Sequence, residues 1–168
     1  MYNVPENNVP SYWIRPQQIL LANAGAHRFM WDMHYQPLNV PATYPISATY
    51  MNTAPDATSP WVMPGLYTAK LIVDGKEFNE PITVKMDPRV KTSVKDLTVQ
   101  HNLSVTCYNY IIKCKTALKA GENAALSKYL NSFTALQNTL QDGDWPPTTQ
   151  IIKAVNETVA GYETMVKK

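Results

Sequence analysis

The sequence predicts an α+β chain in two parts, a small antiparallel β-sandwich followed by an up-down-up three-helix bundle. Three observations carry that expectation. Proline, tyrosine and tryptophan crowd the chain up to Pro88; beyond it no proline occurs until Pro146-Pro147, and alanine, leucine and lysine take over. Apolar residues alternate with a period of two before that point and recur every three or four residues after it. Asp74-Gly75 separates two alternating runs, where a type I′ hairpin turn requires two residues of positive φ. The expected boundaries are a linker at 1–10, the sandwich at 11–88 and the bundle at 89–168.

In the first part, "GAHRFMWDMHY" (25–35) places Phe29, Trp31, Met33 and Tyr35 on one strand face and Arg28, Met30, Asp32 and His34 on the other. That pattern predicts a strand with one apolar face and Trp31 buried between sheets. "YPISATYMN" alternates Ile46, Ala48 and Tyr50. After the Pro64-Gly65 turn, Tyr67, Ala69, Leu71 and Val73 share a face, and the return strand carries Phe78, Ile82, Val84 and Met86. Pro81 lies inside that return strand, which calls for an edge position or a bulge. Short strands separated by Pro/Gly turns point to a sandwich.

The second part reads as three helices. Ser93-Val94-Lys95-Asp96 resembles a capping box, with Asp96 suited to the positive helix end. Leu103, Cys107, Tyr110, Cys114 and Ala117 form the first apolar stripe, and Gly121 is the expected C-cap. Leu126, Leu130, Phe133, Leu136 and Leu140 form the second, ending at Asp142-Gly143-Asp144. The third follows Pro146-Pro147, capped by Thr148, with Ile152, Val155, Val159, Tyr162 and Val166. Short breaks between helices favour antiparallel neighbours.

Composition narrows the function classes. With 168 residues, 45% of them hydrophobic, the chain has material for one medium domain or two small ones. A net charge of +2 with scattered lysines and arginines provides no footprint for nucleic acid or an anionic membrane. No apolar run approaches the roughly 20 residues that span a bilayer. The start, "MYNVPENNVPSYW", has neither a charged nor an apolar leader region. Its Pro/Asn-rich character reads as linker, so the chain is expected to be a piece of a longer protein. Cys107 and Cys114 are seven residues apart on one helix, about 10 Å along its axis, too far for a mutual disulfide. Their spacing matches no zinc or redox motif.

"SYWIRPQQ", "GAHRFMWDMHY", "YPISATY", "PWVMPGLYTAKLIVDGKEF" and "PITVKMDPRVKTSVKDL" resemble the C-terminal region of large bacterial secreted proteins with a β-propeller of sialidase-type (BNR) repeats, described as sortilin-like or glycosyl-hydrolase-like. The segment after the propeller there is similar to the immunoglobulin-like domain of flagellar hook-capping proteins, with a G-x-H-x-x-x-W-D strand and a P-G-x-Y-T-x-x-L-x-V-D-G hairpin. Here these correspond to Gly25, His27, Trp31 and Asp32, and to Pro64, Gly65, Tyr67, Thr68, Leu71, Val73, Asp74 and Gly75. The resemblance covers most of 11–97. It implies an immunoglobulin-like sandwich with a helical tail, an upstream propeller in the same polypeptide as partner, and a periplasmic or extracellular location. It also implies that Trp31 fills the sandwich core and Asp32 ties the following loop. It transfers no catalytic residue.

His27, Asp32 and His34 include metal-ligand types, but on a strand His27 faces away from the other two. No G-x-S-x-G nucleophile elbow occurs. Asp32, Asp56, Asp74, Glu77, Glu80 and Asp87 do not single out a glycosidase pair. Trp13 and Trp61, in Pro-flanked loops, are the candidates for a glycan-stacking platform or an interface seam; Trp145 and the tyrosines are weaker candidates. The sequence therefore predicts a non-catalytic accessory module without cofactor or metal, with a carbohydrate-binding module as the alternative.

Overall fold

A computed structural model of the protein describes residues 22–27, 29, 31, 33–38 and 59–167. The linker at 1–10, Trp13, the "YPISATY" run, Asp32 and Asp56 lie outside the described residues. Among the described residues two strands precede three helices, so the structure is mixed α and β: β1 (Gly65–Val73), β2 (Lys76–Val84), α1 (Val94–Leu118), α2 (Ala124–Gln141) and α3 (Thr149–Val166).

The strands form an antiparallel hairpin closed by Asp74 and Gly75, with φ of 49° and 77°, the two positive values of a type I′ turn. Tyr67 pairs with Ile82 and Leu71 with Phe78, so both predicted apolar rows occupy one face. Val73 and Lys76 close the two-residue turn, and bonded pairs recur at every second residue from there. Pro81 falls opposite Thr68 in a non-bonded pair, so its missing N–H points away from β1. Pro81 is thus an edge residue and not a bulge. Apart from Tyr67 and Val84 every hairpin residue is exposed, and neither strand packs on a helix.

The helices pack on one another around Cys107, Ile111, Cys114, Leu126, Phe133, Leu140, Val155 and Tyr162. Ser93 caps α1, its hydroxyl oxygen accepting from the Asp96 amide (3.1 Å). In turn it donates to the Asp96 carboxylate (2.7 Å), where a capping box would aim that carboxylate at the backbone. Asn123 caps α2 and Thr148 caps α3. α1 ends on Lys119 in right-handed geometry, and Gly121, with φ of 154°, lies two residues further on. On α1, Ser104 and Ile111 join Cys107 and Cys114 at the centre, while Leu103, Tyr110 and Ala117 flank it half-buried.

The row expected to be buried between sheets is not covered. Phe29 is 56% and Trp31 37% exposed, with Met33 and Tyr35 also exposed. Met33 has φ of 62°, which no regular strand allows, and the only pairing described for 33–35 is the His34–Trp61 bridge. The alternation in the sequence is genuine, but the backbone turns at Met33, and Trp31 lies against Tyr67 instead of in a closed core.

Candidate functional site

A set of polar and aromatic side chains lies where residues 33–36 and 59–63 meet α1 and α2. Two short extended stretches come together first. The Tyr35 amide donates to the Pro60 carbonyl (2.9 Å), the Val62 amide to Met33 (2.8 Å) and the Ser59 hydroxyl to the Tyr35 carbonyl (2.7 Å). Ser59 and Pro60 are fully buried. The Trp31 indole N–H donates to the His34 carbonyl (3.1 Å), closing the bend around Met33.

The helices then grip this pair. The Trp61 amide donates to Gln141 Oε1 (3.0 Å), and His101 Nδ1 lies 3.0 Å from the Trp61 carbonyl. A carbonyl can only accept, so Nδ1 carries a proton; in neutral His101, Nε2 then accepts from the Tyr35 hydroxyl at 3.3 Å. The Tyr108 hydroxyl donates to the Gln36 carbonyl (2.8 Å). Behind them Gln141 Nε2 donates to Ser104, whose hydroxyl donates to the Gln100 carbonyl. Gln100 Nε2 bonds the Leu140 and Gly143 carbonyls, holding the end of α2 against α1. Thr92 donates to the Asp144 carbonyl in the same loop.

Aromatic rings surround these bonds. His34 stacks on Trp61 with centroids 3.6 Å apart, and Tyr35 leans on His101 and Tyr108. A groove open to solvent runs beside Trp61, floored by Leu97, Gln100, His101 and Gln141 and bounded by Gly143 and Asp144. Trp61 stays 46% exposed at its rim.

Each sequence candidate now has a position. Trp61 is at the joint, with its backbone bonded to both helices; Trp13 lies outside the described residues, so no two-tryptophan platform is described. His27 bonds the Asn23 carbonyl and His34 stacks on Trp61, so the two histidines serve different neighbours. Among the described residues no three His, Cys, Asp or Glu side chains are grouped to hold a metal ion. Asp74 sits in the hairpin turn. Asp87 accepts from the Arg89 amide and guanidinium, and those bonds hold its carboxyl down at about 2. Glu77 pairs with Lys70 at 2.7 Å. Both cysteines are buried thiols, and burial pushes Cys107 up to about 12. Tyr110 donates to Glu163 (2.6 Å), and that bond, with burial, raises the phenol to about 12.

Sequence reasoning missed His101, Gln100 and Gln141, which hold the joint. Ordinary polar residues on helices carry no signal of such a role, because their partners lie 37 or more positions away in the chain. Comparison of the chain with protein-family models, curated proteins and solved structures gives no match.

Proposed function

We propose that the chain is a non-catalytic accessory module, an immunoglobulin-like β-sandwich followed by an up-down-up three-helix bundle. In this reading it belongs to a longer periplasmic or extracellular β-propeller protein, and it braces the propeller or mediates protein contacts. The observation that carries the structural role is the use of polar groups at the joint. Both ring nitrogens of His101, both amide ends of Gln141 and the Gln100 amide nitrogen bond other parts of the same chain. A general acid, base or nucleophile must instead present its group to a substrate. The exposed apolar face of the hairpin supports the sandwich, because a lone two-stranded hairpin is marginal in water.

Two experiments test this. The coding sequence upstream of Met1 should continue in frame into S-x-D-x-G-x-x-W repeats; a different upstream domain contradicts the propeller assignment. The purified chain should turn over neither chromogenic glycosides nor a generic protease substrate; turnover abolished by changing one acidic residue contradicts the non-catalytic assignment. One observation favours the alternative carbohydrate-binding module: Trp61 keeps nearly half its surface open beside the groove. Calorimetry against a polysaccharide set, with Trp61→Ala as control, separates the readings. Binding that the substitution removes favours the sugar-binding module.

A further inference from the structure

We propose that two copies of the chain join through the outer edges of β1, antiparallel about a two-fold axis at Ala69, and so form one four-stranded sheet. This goes beyond the accessory-module reading and does not depend on it. The sandwich concerns the apolar face of the hairpin, whereas this contact runs along its edge.

The two edges of the hairpin differ. β2 turns Glu77, Asn79, Pro81 and Thr83 outward, and Pro81 has no N–H to give. β1 turns the N–H and C=O groups of Leu66, Thr68, Lys70 and Ile72 outward, with no proline and no bulge among them. Among the described residues nothing pairs with that edge, and every residue of β1 except Tyr67 is exposed. A regular edge left open in this way is a template for a further strand.

The partner strand is read from β1 itself. About Ala69, Leu66 is balanced by Ile72 and Tyr67 by Leu71, so the strand is much alike from either end. Such a strand is complementary to itself, which is what a two-fold contact between identical surfaces requires. Ladder bonds join outward-facing residues to outward-facing residues, so the register moves only in steps of two. Centred on Ala69, Leu66 lies opposite Ile72 of the second copy, Thr68 opposite its Lys70 and Tyr67 opposite its Leu71. One step in one direction sets Lys70 against Lys70, like charges directly opposed. One step in the other sets Lys70 against Leu66 and Tyr67 against Ala69. Only the centred register brings together Leu66 and Ile72, which are 76% and 59% exposed. Lysine on an edge strand commonly guards it against pairing. Here Lys70 is already held by Glu77 of its own hairpin (2.7 Å), and the centred register gives it Thr68 as neighbour. The Tyr67–Leu71–Phe78–Ile82 rows of the two copies then share one side of the sheet. Two strands alone are marginal in water, and four with a common apolar face are not.

NMR on a mixture of labelled and unlabelled copies of the whole chain, with sedimentation over a dilution series, tests this. The expected result is a mass of two copies that falls to one on dilution, with Hα–Hα contacts between copies for Tyr67–Leu71 and Ala69–Ala69. Thr68→Lys opposes like charges on both sides of the axis and should weaken the dimer about threefold or more; Thr68→Glu, facing Lys70, should tighten it by a similar factor. Both variants should keep the Leu66–Thr83 contact within the chain, because Thr68 faces Pro81 there and its N–H takes no part in the hairpin. Contacts from Tyr67 to Ala69 or Val73 of the second copy overturn the register, as do shifts of affinity in the same direction for both variants. A chain that stays monomeric at NMR concentrations overturns the proposal itself, as does a dimer without contacts between the two β1 strands.

Discussion

Gln137 is 1% exposed in the helical core, and its Oε1 meets no donor. A buried acceptor without a partner carries its full desolvation cost, whereas an apolar side chain of similar size carries none. Gln137→Leu should therefore raise stability by about 1 kcal/mol in urea melts; a loss of stability would show that the amide is better satisfied than its surroundings indicate. Ile111 is the opposite case, fully buried among apolar neighbours. Ile111→Ala should cost about 2–5 kcal/mol through lost transfer energy and the cavity left behind. Cys107 offers a probe of the same core. Burial keeps its thiol neutral up to about 12, while in the unfolded chain it ionises near 9. The raised value means that this contribution to stability is complete below pH 9 and fades as pH rises from 9 towards 12. At pH 8 both cysteines should resist a thiol reagent until denaturant unfolds the helices. Reaction at the native rate of an exposed thiol would contradict their burial.

The elements differ in how plainly the sequence announces them. The hairpin was legible because Asp74-Gly75 dictates its own φ values and the flanking alternation fixes the shared face. Gly75→Ala should weaken it by about 1–2 kcal/mol, the cost of a side chain at positive φ, and hydrogen exchange should rise in β1 and β2 but not in α1. The helix starts at Ser93 and Thr148 were legible for the same local reason, a side chain bonding an amide three residues on. The exact buried faces were less so. Gln137 and Ser104 sit in the core at positions that a hydrophobic stripe passes over, while Leu130 and Leu136 flank it. The strand expected at 29–35 shows the limit most clearly. Its alternation predicts a face, but nothing local predicts that Met33 takes positive φ or that Trp31 meets Tyr67. Of the joint only Trp61 stood out in the sequence, since His101 and Gln141 acquire their roles only when distant segments meet.

In the whole molecule the described hairpin makes no contact with the three helices, whereas the joint at 33–36 and 59–63 bonds to α1, α2 and, through Met63, Tyr67. Stability should accordingly be uneven, with β1 and β2 exchanging faster than the centres of α1 and α2. If the polar cluster around Trp61 is a structural joint and not a ligand site, removing His101 should loosen it. Hydrogen exchange of His101→Ala beside the unaltered chain tests it most directly, read at the Tyr35, Trp61 and Val62 amides. The substitution removes the side chain that bonds both Trp61 and Tyr35. Faster exchange is expected at those three amides, with α1, α2 and α3 still protected. Unchanged protection there, together with loss of a bound sugar or substrate in His101→Ala, would contradict it.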